Sequence, residues 1–368
     1  MKAFGVGIIG FGFMGRAHSY GHINLPLFYD PAPCRTRLVG VATSRKETAE
    51  AARRALGFEV ATADWRELID RTDIEIIHVC TPNKFHREQV IAALGAGKHV
   101  YCDKPLCMDR QEADEIAAAV KGAKVTHQMV LHNRFHPAVL RAKQMMTEGF
   151  VGDVLTVRGA YLHAGSADPA APLKWKLDSA LAGGGVLFDL GVHILDLMQH
   201  LVGPVRVVDC STHVAYPERP VTGRTGKTAA VTAEDAVFLT VRTQSGAPGH
   251  IEASKIATGA VDELRFEIHG GKGGLRFNLM DPNYLWAYDM TLPARERGWR
   301  ALETVQNYPP PAVFPPGKVG VGWLRAHLAC LHNFLSAVAE GRPAEPDLQV
   351  GVQLQHLMAD AYEIAQRE

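Results

Sequence analysis

Short apolar runs alternate with amphipathic, alanine-rich runs through the first third of the chain. Residues 4–9, 38–42, 74–80, 99–102 and 124–128 are short and mostly β-rich, which predicts strands. Between them lie segments such as residues 47–56 (ETAEAARRAL) and 111–120 (QEADEIAAAV), built from strong helix formers. Strand and helix in alternation predict a parallel sheet covered by helices on both faces.

After about residue 130 the rhythm changes. A helix is expected over residues 137–148, a strand over 155–161 and a glycine-led helix over 183–201. Alternating runs at 236–243, 250–254, 264–269, 275–278 and 284–288 follow, joined by Ser245-Gly246 and by the glycine-rich residues 270–274, and these predict the hairpins of an antiparallel sheet. Residues 216–234 are polar and rich in Gly, Pro and Thr, and read as a loop able to move; Pro309-Pro310-Pro311 and Pro315-Pro316 read as a stiff connector. Two helices, about 323–340 and 347–366, close the pattern.

Composition narrows the partners. The 368 residues are 47% hydrophobic and carry 39 basic and 39 acidic side chains, so no basic field exists to gather a nucleic acid or an anionic membrane surface. Six cysteines lack any C-x-x-C pairing, which favours a reducing cytoplasm. The first residues enter a strand pattern directly and no uninterrupted apolar run reaches the ~18 residues of a membrane span, so neither secretion nor membrane insertion is expected.

Gly10-Phe11-Gly12-Phe13-Met14-Gly15 follows the first strand and opens a helical segment, the context that G-x-G-x-x-G requires. The first glycine permits the turn, the second lets backbone approach a pyrophosphate, and the third allows close helix–strand packing. Gly10, Gly12, Phe13, Met14 and Gly15 are therefore expected to bind a dinucleotide. The fold class becomes α/β: an N-terminal Rossmann domain over residues 1–128, then an α+β domain over 129–368 with an open, mainly antiparallel sheet. After the second strand stands Ala42-Thr43-Ser44-Arg45-Lys46, with no carboxylate to hold a ribose 2′-hydroxyl. Ser44 and Arg45 can grip a 2′-phosphate, which favours NADP and leaves NAD open.

Two further groups carry candidate chemistry. Lys104 follows an apolar strand at the carboxyl edge where open α/β sheets bind ligands, and Pro105 restricts its backbone and can form a cis bond. In Gly183-Gly184-Gly185-Val186-Leu187-Phe188-Asp189-Leu190-Gly191-Val192-His193, a helix puts Asp189 and His193 at i and i+4 on one face, with Asp196 three residues further. A carboxylate and an imidazole so placed can bind and deprotonate a hydroxyl, or can form a buried structural pair. Without a further ligand at metal spacing, no metal is expected. His132 and His136 lack the H-E-x-x-H glutamate and read as loop or cleft-wall residues.

Together these segments resemble the Gfo/Idh/MocA family of NAD(P)-dependent oxidoreductases over essentially the whole chain. The likeness rests on residues 7–15, on Thr81-Pro82-Asn83 with His86, on Lys104-Pro105, on residues 183–196, and on Pro346-Asp347 and Ala361-Tyr362. It implies hydride transfer between nicotinamide and a hydroxyl-bearing carbon of a cyclic sugar, anhydrosugar or polyol. Lys104 would touch both nicotinamide ribose and substrate, and Asp189 and His193 would bind and deprotonate the reacting hydroxyl. Thr81, Pro82, Asn83 and His86 would line the nicotinamide side, with Asp103 in place of the motif's usual glutamate. Thr43 stands where the family usually has an acid, which weakens any transfer of NAD preference. Arg134, His163 and Trp175 are expected substrate-wall residues. The resemblance also implies a homodimer or homotetramer joined through the C-terminal sheet. The rival functions are a glycosidase working by transient oxidation at a held NAD and a dinucleotide sensor without catalysis.

Overall fold

The computed structural model describes residues 2–224 and 226–367. These form two compact units, and the units do not follow chain order. The first comprises the chain through His132 with Tyr308–Pro316 and Gly322–Gln355; the second comprises Asn133–Asn307, Gly317–Val321 and the chain from His356.

In the first unit six strands, β1 (Ala3–Ile9), β2 (Arg35–Ala42), β3 (Val60–Thr62), β4 (Ile76–Val79), β5 (His99–Cys102) and β6 (His127–Met129), form one parallel sheet in the order β3-β2-β1-β4-β5-β6. Strand order reverses between β1 and β4, and ligands of doubly wound sheets bind at such a switch point. Five of the strands answer to the sequence pattern; β3 does not. It is three residues long and lies at the sheet edge, too short for any period to show. Gly57, at φ +75°, ends the preceding helix Lys46–Leu56 in the left-handed conformation. Helix Arg110–Gly122 begins at Asp109, whose carboxylate accepts the Glu112 N–H at 2.8 Å.

The expected boundary at residue 128 differs from the packing in an instructive way. Helix Trp323–Glu340, which the sequence groups with the second half, packs on helix Phe13–Phe28. Gln128 in β6 donates to the Cys330 carbonyl at 3.0 Å and accepts from Asn333 at 2.7 Å, so the late helix completes the early sheet.

The second unit holds an eight-stranded mixed sheet. Its strands are β7 (Val154–Leu162), β8 (Val205–His213), β11 (Ala236–Thr243), β12 (Pro248–Ser254), β13 (Glu263–Gly270), β14 (Gly273–Asn278), β15 (Tyr284–Asp289) and β16 (Trp299–Glu303), in the order β16-β15-β14-β13-β7-β12-β11-β8. All neighbours are antiparallel except β7 and β12. Helix Val192–Val202 packs against β7 and β13, giving one covered face. The edge strands β8 and β16 escaped the sequence pattern because charged or polar residues interrupt their apolar positions.

The expected loop over residues 216–234 contains, among its described residues, a small antiparallel pair, β9 (Glu218–Pro220) and β10 (Thr228–Ala230). Arg219 anchors it: the buried guanidinium donates to the carbonyls of Ser166 at 2.5 Å and Asp168 at 2.7 Å. The apolar stretch Ser179–Val202 is long and apolar enough to cross a membrane, yet 83% of its most apolar window is buried inside the fold.

Candidate active site

The glycines of the first turn divide by what each must avoid. Gly10 sits at φ +91°, and a side chain there would fall on the Cys80 carbonyl; one at Gly15 would fall on the carbonyl of Gly10. Gly12 has nothing within 4 Å of where a Cβ would stand. The protein's own packing therefore requires Gly10 and Gly15, whereas Gly12 leaves backbone open to an outside group. Helix Phe13–Phe28 starts immediately after it with no side-chain cap and no acidic residue in its first turn. Its orphan N–H groups and positive dipole end are thus available to a pyrophosphate, and the residues fit a dinucleotide.

At the end of β2, the Thr43 hydroxyl donates back to the Arg45 carbonyl at 2.8 Å and lies 2.5 Å from the Thr48 hydroxyl. Ser44 and Arg45 are exposed, with no acid among residues 42–46.

The loops after β4 and β5 are braced by His86. It is 1% exposed, with Nε2 2.8 Å from the Thr81 carbonyl and Nδ1 2.9 Å from that of Pro105. Both ring nitrogens face backbone, so the residue ties the two loops together. Thr81 donates to Gln89 at 2.7 Å and Asn83 is buried. Lys104 precedes a cis bond to Pro105, and the Asp103 carboxylate accepts the Lys104 N–H at 3.0 Å. Asp103 therefore fixes the backbone that presents Lys104.

In the second unit the glycine-led segment is not one α-helix. Helix Ser179–Ala182 ends at Gly183, φ +77°; a π-helical turn, Leu187–Gly191, follows and passes directly into helix Val192–Val202. The Val192 N–H bonds to the Leu187 carbonyl, widening the backbone at Asp189, and π turns of this kind often mark functional sites. The other two glycines have local reasons. A side chain at Gly184 would fall on the Tyr362 hydroxyl, and one at Gly185 on the backbone of Glu234. Glu234 in turn accepts the N–H groups of Gly185 and Leu187, each at 3.0 Å, and the Tyr362 hydroxyl at 2.8 Å. Burial pushes the Glu234 carboxyl up, opposed by these hydrogen bonds and by the charge of Lys255.

Asp189 is held between two lysines: Lys176 Nζ lies 2.7 Å from Oδ1 and Lys255 Nζ 3.2 Å from Oδ2. His193 is 4% exposed, and the Tyr161 ring meets it edge-on at 5.7 Å between centroids. The Tyr161 hydroxyl donates to Asp262 at 2.7 Å, and His163 Nε2 lies 2.9 Å from the same oxygen. Burial pushes the Asp262 carboxyl up, but hydrogen bonds from His163 and Tyr161 outweigh it and hold the carboxyl below its ordinary range. Trp175 is 37% exposed on the same 3₁₀ turn as Lys176.

Arg134, His136 and His132 each pack within the fold. Arg134 makes a buried bidentate pair with Asp196, its Nε and terminal nitrogen within 2.6–3.1 Å of both oxygens. That pair ties Arg134 to helix Val192–Val202. His136 is buried, which pushes its pKa down to about 4, and His132 stacks on His327 at 3.7 Å. The sequence reading missed Tyr161, Lys176, Glu234, Lys255 and Asp262. One signal existed: Lys255 follows the apolar strand β12 as Lys104 follows β5.

A dinucleotide-binding parallel sheet, followed by an α+β unit presenting a carboxylate and an imidazole four residues apart, defines a nicotinamide-dependent oxidoreductase. The chain belongs to the Gfo/Idh/MocA family: residues 4–132 match its oxidoreductase domain with NAD-binding Rossmann fold, and residues 139–276 match its C-terminal domain. It is 36% identical over 366 residues to levoglucosan dehydrogenase of Pseudarthrobacter phenanthrenivorans, covering 96% of this chain and 94% of that protein. It is 29% identical over 269 residues to myo-inositol 2-dehydrogenase of Thermotoga maritima, covering 73% of each. The solved structure of levoglucosan dehydrogenase in complex with NADH and L-sorbose superposes with a TM-score of 0.95 at 36% identity, over 100% of this chain and 98% of that one.

Proposed function

We propose that the protein oxidises, reversibly, a hydroxyl-bearing carbon of a cyclic sugar, anhydrosugar or polyol. The observation that carries this reading is Asp189 on a widened helical turn with His193 at the start of the helix that follows, in a chain similar to levoglucosan dehydrogenase over 96% of its length and to inositol dehydrogenase over 73%. In the oxidative direction His193 takes the hydroxyl proton, and it returns that proton on reduction. Asp189 accepts a hydrogen bond from a neighbouring hydroxyl and so orients the ring, and Lys104 donates to the reacting oxygen. When bound, the nicotinamide supplies the carbon that accepts or returns the hydride. His163 and Trp175 contribute to the substrate wall, Trp175 through its ring face.

The cofactor preference we infer is NADP. Exposed Ser44 and Arg45 offer donors to a 2′-phosphate, the Thr43 hydroxyl is engaged by Arg45 and Thr48, and no carboxylate stands among residues 42–46 to favour a 2′-hydroxyl. A panel of sugars, anhydrosugars and inositols, run in parallel with NAD and NADP, tests both statements. Net cofactor reduction is expected. Sugar cleavage without net cofactor change would instead favour the glycosidase, and binding with neither would favour a sensor. Arg45→Ala is expected to raise KM for NADP roughly ten- to hundredfold, the worth of a charge-assisted hydrogen bond. An unchanged KM for NADP with better turnover on NAD would refute the preference.

We also propose a homodimer or homotetramer through the uncovered face of the eight-stranded sheet. That face carries Arg158, Glu252, Arg265 and Glu267 around Phe238, which is 50% exposed, and bounds a cavity of about 500 Å³. A large apolar ring amid paired charges suits a self-complementary interface. Phe238→Asp should shift sedimentation toward monomer; an unaltered profile would exclude this face. The six cysteines form no disulfide, which suits the cytoplasm, a location that cell fractionation checks.

A further inference from the structure

We propose that Lys255 is a positioning residue for the reaction: it fixes the Asp189 carboxylate from the protein interior, while Lys176 occupies from the solvent side the oxygen that a substrate hydroxyl takes over. This rests on the reading that Asp189 receives such a hydroxyl. The two lysines hold the same carboxylate but differ in every other respect. The Lys255 side chain is 9% exposed and that of Lys176 45%. Lysine is seldom buried without a charged partner, because its ammonium loses hydration that only an anion replaces. Nothing in the ladder of β12 requires a lysine after Ser254, and the charged partner at ion-pair distance is Asp189.

The backbone fixes where this ammonium stands. The Lys255 N–H donates to the Asp235 carbonyl at 2.8 Å, and the Val186 N–H donates to the adjacent Glu234 carbonyl at 2.9 Å. The strand end bearing Lys255 and the turn bearing Asp189 are thus registered on the same two residues. Glu234 also spends its carboxylate on that turn through Gly185 and Leu187, and its charge faces Lys255 as well. The 3.2 Å contact between Lys255 and Asp189 is ionic without hydrogen-bond geometry. Lys255 therefore holds the carboxylate by charge without claiming the lone-pair directions that a hydroxyl donor needs.

Lys176 has the opposite character. It stands on a single 3₁₀ turn, Trp175–Leu177, and its pair with Asp189 is half in water, where ion pairs are weak and easily exchanged. A substrate hydroxyl arriving at Oδ1 displaces it.

Steady-state kinetics of Lys255→Met, Lys255→Arg, Lys176→Met and Asp189→Asn, with the preferred dinucleotide and the best sugar of the panel, test the assignment. Lys255→Met should lower kcat about 10- to 100-fold, as expected of an ångström-scale misplacement, with a smaller change in KM. Lys255→Arg should restore most of that loss. Lys176→Met should lower KM for sugar about two- to fivefold, because a competitor for Oδ1 has gone. If Asp189→Asn is impaired while Lys255→Met matches the wild type, the positioning role fails and the role of Asp189 stands. If Asp189→Asn itself matches the wild type, the reading beneath both fails. A crystal structure of Lys255→Met gives a readout independent of turnover: a shifted Asp189 carboxylate supports the proposal, and one left in place overturns it.

Discussion

His193→Ala is expected to lower kcat by about 10²–10⁴-fold, the usual worth of a positioned general acid–base group, with little change in dinucleotide affinity. The ring belongs to the second residue of helix Val192–Val202, and the π turn before it sets the angle at which that helix starts. Tyr161 closes one side of the ring. An imidazole has two ring nitrogens, so it can take a proton in one direction and return it in the other. Alanine removes that capacity along with a buried side chain, so thermal melting should accompany the kinetics, with His193→Gln as the variant that keeps more volume. Single-turnover measurement of the hydride step separates chemistry from binding. The loss should lie in that step. A wild-type kcat in either folded variant would remove His193 from the proton-transfer role.

How much of this was legible beforehand depends on how local the cause is. The glycine turn could be read because its spacing between a strand and a helix is local and Gly15 answers to Gly10, although Gly10 itself answers to the distant Cys80 carbonyl. The Asp189–His193 spacing could be read for the same reason, although the π turn could not, since it depends on Glu234 gripping Gly185 and Leu187 from elsewhere in the chain. Lys255 and Asp262 were hidden by sequence distance. Each meets its partner from a distant part of the chain, and no periodicity links residue 189 to 255 or residue 163 to 262. The interleaving of the units was hidden similarly: helix Trp323–Glu340 is amphipathic wherever it packs, and the bonds of Gln128 with Cys330 and Asn333 show that it completes the early sheet. The bracing role of His86 was hidden for the same reason, since its ring reaches the carbonyls of both Thr81 and Pro105.

Arg134→Leu is expected to destabilise the protein by about 3–5 kcal/mol, the cost of leaving a buried carboxylate without its cation. The melting temperature should fall on the order of 10 °C. Both members of the pair are nearly inaccessible, at 7% and 2% side-chain exposure, so solvent cannot replace the lost guanidinium. Asp196 stands one turn after His193 on the same helix, and the bidentate bond fixes that helix against the segment that carries Arg134. The double variant Arg134→Leu/Asp196→Leu should recover much of the lost stability, because two apolar residues of similar volume remove the desolvation cost together with the attraction. Its turnover should fall short of its stability, since the pair also sets the helix on which His193 is mounted. A substrate-wall role for Arg134 makes the opposite demands. The single variant would melt normally and raise KM for sugar, and the double variant would rescue nothing. Melting curves beside KM for the three proteins therefore decide whether this arginine supports the site or forms its wall.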